Sequence, residues 1–369
     1  MPVRLGILGL GSVFRHSYGP MVDALVREGR VKVTALFDPD SEKQVAAAHR
    51  FGVDGSARTW KSIVGRDDVD AVMILTDMQE HGTLGISALE AGKHVLIEKP
   101  MATSLEEATR LMEASRTHDR LLVCAPFVLQ SPTFREMYRR VRAGVIGQVV
   151  LARARYGWSG PEWTRWFYQP GGGSLFDLGV YNVVSLCGFL GRVQRVTALV
   201  GTAVPERVVN GELITVEVDD NAHVLLDFGE SRFGVVSTGF TIQKYGHNPA
   251  IELYGLAGTM HMLGDDWAPE GFEQWRNEAQ MWEMIPETAP NWQFTTGLRN
   301  LIDCIDTKMA PASRPEHAYH VLEVMLAATR SAKEGRVIEI ESDFPEPDFS
   351  SLPDTSRDRA PLHNPRAVS

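Results

Sequence analysis

The chain opens with strand-like segments at regular intervals, Val3–Leu8 and Val31–Phe37, followed by three short continuous apolar runs, Ala71–Leu75, His94–Ile97 and Leu121–Ala125. Runs of this length, apolar at odd and even positions alike, predict strands buried on both faces of a parallel sheet. Between them the period changes. Met21, Val22, Leu25 and Val26 recur at helical spacing, and Ser41–Arg50 reads as a second helix. Ser104-x-x-Glu107 is a capping box ahead of Leu105, Ala108, Leu111 and Met112. Strand alternating with helix predicts a doubly wound α/β domain of Rossmann type over residues 1–126.

The pattern then shifts. Val149–Tyr156 alternates as a strand and Asp177–Leu190 reads as a helix. Val193–Val200, Thr215–Val218, His223–Phe228, Phe233–Phe240 and Ala250–Gly255 follow as strands joined by polar and glycine turns. Successive strands without helices predict a large, mostly antiparallel sheet with one solvated or partner-covered face. A last helix is expected over Glu316–Glu334. Residues 127–342 are thus expected to form an α+β domain for substrate binding and oligomerisation, and 343–369, with five prolines and no periodicity, a loose tail.

Composition narrows the function. The 369 residues, 44% hydrophobic and 23% charged, suit two ordinary globular domains. A net charge of −10 argues against nucleic acid or an anionic membrane as partner. Cys124, Cys187 and Cys304 are far apart with no CxxC pair, which argues against zinc and disulfides and for a reducing compartment. His317 and His320 share a helix face without a third partner in sequence, so no metal is expected. No secretion signal and no apolar run of membrane-spanning length is present, so a cytoplasmic protein is expected.

Three segments carry chemistry. Gly9-Leu10-Gly11 follows a strand and opens a helix through Ser12 and Val13, where bare backbone and a helix N-terminus suit a pyrophosphate. Phe14 stands at the usual third glycine. Asp38, 27 residues after Gly11 at the end of the second strand, is placed to accept from the adenosine ribose hydroxyls. No arginine follows in Asp38-Pro39-Asp40-Ser41, which favours NAD over NADP. Glu98-Lys99-Pro100 places an ammonium at the carboxyl edge of the sheet. After Gly171-Gly172-Gly173, Asp177 and Tyr181 share one face if helical. A tyrosine near a lysine can act as general acid–base, since the cation lowers a phenol pKa that starts near ~10. Trp158, Trp163 and Trp166, beside Phe167 and Tyr168, either stack on a sugar face or pack in the core.

Together these segments resemble the Gfo/Idh/MocA oxidoreductases. The resemblance rests on the glycine turn with Asp38, on Thr76-x-x-x-x-His81 followed by Glu90-Ala91-Gly92-Lys93-His94-Val95-Leu96-Ile97-Glu98-Lys99-Pro100, on the triple glycine with Asp177-x-x-x-Tyr181, and on Ser331-Ala332-x-x-Gly335. It implies hydride transfer between NAD(H) and a carbinol carbon of a sugar, cyclitol or related polyol. Lys99, Asp177 and Tyr181 would be catalytic. Gly9, Gly11, Ser12, Val13, Asp38, Thr76, His81, Glu98 and Lys99 would bind the cofactor, and Trp158, Trp163 and Trp166 the substrate. It also implies a homodimer or homotetramer. Tyrosine at 181, where many members carry histidine, matches the subgroup of glucose-fructose oxidoreductase and the dihydrodiol and xylose dehydrogenases. Thr76-Asp77-Met78 and Ala125-Pro126-Phe127-Val128-Leu129-Gln130 depart from the family pattern, and the second lacks an arginine often found near the substrate. Two other readings fit the same residues: a glycosidase that retains NAD, and a non-catalytic NAD sensor.

Overall fold

A computed structural model describes residues 1–53, 57–243 and 249–353. The chain divides into two compact units. Of the described residues, the first comprises those within Met1–Phe127, Thr295–Leu322 and Asp348–Ser351, and the second those within Val128–Phe294 and Glu323–Pro347 and residues 352–353.

The first unit is built on strands β1 (Val3–Leu8), β2 (Val31–Phe37), β3 (Ala71–Ile74), β4 (His94–Ile97) and β5 (Leu122–Cys124). They pair in parallel in the order β2-β1-β3-β4-β5. Leu5, Ile7, Leu36, Met73, Leu96 and Val123 are fully buried, as two-sided burial demands. The order reverses between β1 and β3, and such switch points are where open α/β sheets leave a crevice beyond the strand ends. The expected helices form with their caps. Asp40 accepts from Glu42 N at 3.0 Å, and Ser104 Oγ from Glu107 N at 3.2 Å. The helix Gly297–Thr307, without a reading from the sequence, packs Leu298, Leu301 and Ile302 into this unit's core.

The second unit contains β6 (Val149–Gly157), β7 (Arg195–Gly201), β8 (Glu206–Val209), β9 (Glu212–Thr215), β10 (Asn221–Asp227), β11 (Phe233–Gly239), β12 (Ile251–Gly255), β13 (Gly258–Asp265), β14 (Ala268–Arg276), β15 (Met281–Pro286) and β16 (Ile338–Glu339). Nine of them form one sheet, β15-β14-β13-β12-β6-β11-β10-β7-β16, with β8 and β9 as a separate hairpin. Among the described residues only the β6–β11 pair of this sheet is parallel, so the expected mostly antiparallel sheet holds. The segment Thr215–Val218 is not a strand as expected. β9 ends at Thr215, Val216 N bonds Pro205 O, and Glu217 N bonds Tyr168 O, because Val216 turns inward to the aromatic cluster. The helix expected over Asp177–Leu190 begins as a π-type turn, Leu175–Gly179, and becomes α-helical at Val180–Leu190.

Helices Pro132–Arg142 and Val180–Leu190 pack on one face of the nine-stranded sheet. The other face carries exposed Leu199, Leu225, Phe233, Trp282 and Met284. The described part of the expected loose tail is tied down. Arg142 pairs with Glu346 at 3.0 Å, Arg135 Nη2 donates to Pro353 O at 2.9 Å, and Asn300 Nδ2 donates to Ser351 Oγ at 3.1 Å. Residues 354–369 lie outside the described residues.

Candidate active site

The glycine turn sits directly after β1. Gly9 has φ +90° and donates to Phe37 O at 3.0 Å; a Cβ there would lie 2.6 Å from the Leu75 carbonyl, so only glycine fits. At Gly11 a Cβ would meet nothing within 4 Å, which leaves open space in front of the turn. Ser12 is exposed and Val13 half-buried beside it. Phe14, at the usual third glycine, is buried and starts a π-type turn, Phe14–Tyr18. The wider turn carries a bulky ring into the core where a glycine would let helix and strand pack closely.

Asp38 holds this turn from β2. Its Oδ2 accepts from Leu10 N at 2.7 Å and its Oδ1 from Asp40 N at 2.9 Å. Each carboxylate oxygen keeps a second lone pair for a ribose hydroxyl. Gln44, which the sequence did not single out, accepts from Asp38 N at 3.1 Å and donates to Ala57 O at 2.8 Å.

The Glu98-Lys99-Pro100 loop follows β4 and is held from two sides. Tyr18 Oη donates to Glu98 Oε1 at 2.8 Å, while Glu98 Oε2 accepts from Lys99 N at 3.1 Å. Tyr18 is fully buried and Glu98 nearly so, whereas Lys99 is half-buried. His81 Nδ1 lies 2.7 Å from Pro100 O and its Nε2 3.0 Å from Thr76 O. Burial pushes the His81 pKa down, so the neutral ring donates to one of the two carbonyls. Both ring nitrogens face backbone, so His81 joins the Thr76 and Pro100 loops to one another.

In the second unit the triple glycine turns into the helix under control of Asp219. Ser174 Oγ and Leu175 N donate to Asp219 Oδ2 at 2.6 and 2.9 Å. Gly173 has φ +99°, and a Cβ on it would run into Asp219 Oδ1. Burial pushes the Asp219 pKa up. Asp177 N then donates to Gly173 O at 3.0 Å, and Asp177 sits buried within the π-type turn. Tyr181 follows, half-buried, with its ring edge-on to Tyr156 at 5.8 Å. Tyr156 meets Trp267 at 6.3 Å, and Trp267 meets Phe294 at 6.0 Å. This aromatic line beside Tyr181 comes from three separate segments and has no signature in sequence.

Trp158, Trp163 and Trp166 belong to a neighbouring cluster that shares Tyr156 with this line and takes in Leu178 of the Asp177 turn. Trp158 stacks on Trp163 at 5.5 Å and Trp166 on Phe167 at 3.7 Å. They surround a satellite core of Phe167, Tyr168, Val209, Val216 and Phe240, to which the β8–β9 hairpin contributes Val209. Among the described residues no three His, Cys, Asp or Glu side chains converge as a metal site. His317 and His320 are buried, and burial pushes the His317 pKa down to about 3.

Residues 3–125 match the family model of an oxidoreductase family with an NAD-binding Rossmann fold, and residues 134–261 match the GFO/IDH/MocA C-terminal domain. A levoglucosan dehydrogenase of Pseudarthrobacter phenanthrenivorans is 28% identical over 62% of this chain and 64% of its own length, so the match spans less than two thirds of that relative. An uncharacterised oxidoreductase of Rhizobium meliloti is 30% identical over 69% of this chain and 72% of its own. The crystal structure of an NAD-binding oxidoreductase from Klebsiella pneumoniae superposes with a TM-score of 0.82 at 21% identity, covering 93% of this chain and 100% of that one. With both family domains in sequence and the glycine turn, Glu98-Lys99-Pro100 loop and Asp177–Tyr181 helix each built as described, the chain belongs to the Gfo/Idh/MocA family of oxidoreductases.

Proposed function

We propose that the protein transfers hydride between NAD(H) and a carbinol carbon of a sugar, cyclitol or related polyol. The observation that carries this reading is the hold on Lys99: a cation at the carboxyl edge of a parallel sheet, fixed through Glu98 and Pro100 by residues of two other segments. The open space before Gly11 and the turn clamped by Asp38 fit a dinucleotide. Gly9, Gly11, Ser12 and Val13 would hold its pyrophosphate and Asp38 its ribose, with Thr76 along the same sheet edge. NAD, when bound, supplies the hydride acceptor at its nicotinamide ring.

The chain's own groups then handle the proton. Tyr181 takes the hydroxyl proton of the substrate on oxidation and returns it on reduction. Lys99 donates a hydrogen bond to the substrate oxygen, and Asp177 orients the substrate. Tyr156, Trp267 and Phe294 supply the apolar wall on which the C–H face of a ring packs. The name of the levoglucosan dehydrogenase relative supports an anhydrosugar or sugar as the class to screen first. The exposed apolar sheet face, with Leu199, Leu225 and Phe233, supports a homodimer or homotetramer, and the three free, buried cysteines fit a reducing cytoplasm.

Nicotinamide absorbance decides it. The purified protein is given NAD or NADP with a panel of aldoses, anhydrosugars and polyols. NADH is expected with NAD, and Lys99→Ala is expected to lower kcat/KM by about 100-fold or more. A protein that binds neither nucleotide sinks the reading.

A further inference from the structure

Asp266 lies in the turn between β13 and β14 and is 2% exposed. Its Oδ2 accepts from Asn182 Nδ2 at 2.9 Å and Ser185 Oγ at 3.5 Å. Both donors stand on the Val180–Leu190 helix, one and four residues after Tyr181. The remaining oxygens of the pair, Asp266 Oδ1 and Asn182 Oδ1, are both buried with no partner. Two orphaned acceptors on side chains already bonded to each other are costly. One proton on Asp266 Oδ1 removes both defects, since an acid and an amide then pair in a ring, N–H to oxygen on one side and O–H to oxygen on the other.

The surroundings favour that proton. Burial pushes the Asp266 pKa up to about 7 and outweighs the hydrogen bonds from Asn182, Ser185 and the Trp267 backbone, which pull it down, while the adjacent carboxylate of Asp265 pushes it up as well. The other ionisable groups on the elements packed here are Tyr181 and Cys187 on the same helix with Asp177 in the turn before it, Arg153, Arg155 and Tyr156 on β6, His261 on β13, and Glu270, Glu273 and Arg276 on β14; of these, Tyr156 touches both Tyr181 and Trp267. The turn therefore delivers two things at once, a hydrogen-bond anchor at 266 for the helix of Tyr181 and an aromatic wall at 267.

We propose that Asp266 is a positioning residue for Tyr181 and acts as a neutral acid, donating its Oδ1 proton to Asn182 Oδ1. The inference rests on the acid–base role given to Tyr181 above. A neutral anchor fixes the helix without placing a negative charge behind a phenol that must pass through its anionic form.

Infrared spectra of the full-length protein test the protonation directly. A carboxylic-acid carbonyl band is expected in mildly acidic buffer and is expected to vanish in Asp266→Asn. That variant keeps the ring as an amide–amide pair, so its kcat and KM are expected within about twofold of the parent. Asp266→Ala is expected to lower kcat about tenfold with KM little changed. If the Ala variant does not fold, the infrared band and the Asn variant still decide. No band lost in Asp266→Asn, or an Asn variant as impaired as one lacking the side chain, overturns the proposal. The infrared arm needs no substrate, so absence of turnover in the parent protein counts against the reaction alone.

Discussion

The buried hydroxyl of Tyr18 donates to Glu98 at 2.8 Å, and the other oxygen of that carboxylate accepts from the Lys99 backbone N–H at 3.1 Å. One carboxylate thus ties the helix after the glycine turn to the loop that carries the lysine. Tyr18→Phe leaves a buried carboxylate oxygen short of one donor. A loss of about 1–3 kcal/mol in stability is expected, read by urea unfolding. A fall in kcat is expected beside it, while NAD affinity changes less. Unchanged stability and unchanged kcat would show that the bond constrains nothing.

Asp38 is expected to serve two partners at once, the Leu10 N–H and a ribose. Asp38→Ala removes the acceptor that shapes the glycine turn as well as the ribose contact. NAD binding, followed by quenching of protein fluorescence, is expected to weaken by at least about tenfold, the equivalent of about 1.4 kcal/mol. A variant with parental NAD affinity would remove Asp38 from the cofactor site.

The stability of the protein carries a pH signature from Asp266. The pKa rises from about 3.9 in the unfolded chain to about 7 in the fold. Between these values the native state holds the extra proton, so stability falls as pH rises through the window and stays low above it. The difference across the window is on the order of 4 kcal/mol. Asp266→Asn cannot ionise, so denaturant midpoints of parent and variant are expected to diverge with rising pH, the variant becoming relatively more stable. Parallel curves would mean that Asp266 does not titrate there.

The exposed face of the nine-stranded sheet bears Leu199 on β7, Leu225 on β10 and Phe233 on β11, which run diagonally across neighbouring strands, Leu199 opposite His223 and Phe233 opposite Asp227. Leu225→Lys places a charge in the middle of that stripe. If the face joins copies of the chain, light scattering after gel filtration is expected to show a smaller species for the variant. A mass unchanged by the substitution would move the interface elsewhere.

The sequence by itself determined the two-part architecture. Runs apolar at every position require burial on both faces, and a parallel sheet with helices on either side satisfies that; alternating runs require one buried face. It also singled out Lys99, Asp177 and Tyr181 as candidates, because a glycine turn, a lysine closing a buried strand and a triple glycine before a helix are local patterns. Tertiary structure decided what holds those residues in place. Tyr18 reaches Glu98 across 80 residues, Asn182 reaches Asp266 across 84, and Asp219 reaches Ser174 across 45. None of these pairs has a periodicity or spacing to betray it, since a buried hydrogen bond is satisfied by whichever chain segment the fold brings near. Tyr156, Trp267 and Phe294 line up beside Tyr181 for the same reason, while the conspicuous tryptophans near the triple glycine pack around a satellite core that only the β8–β9 hairpin completes.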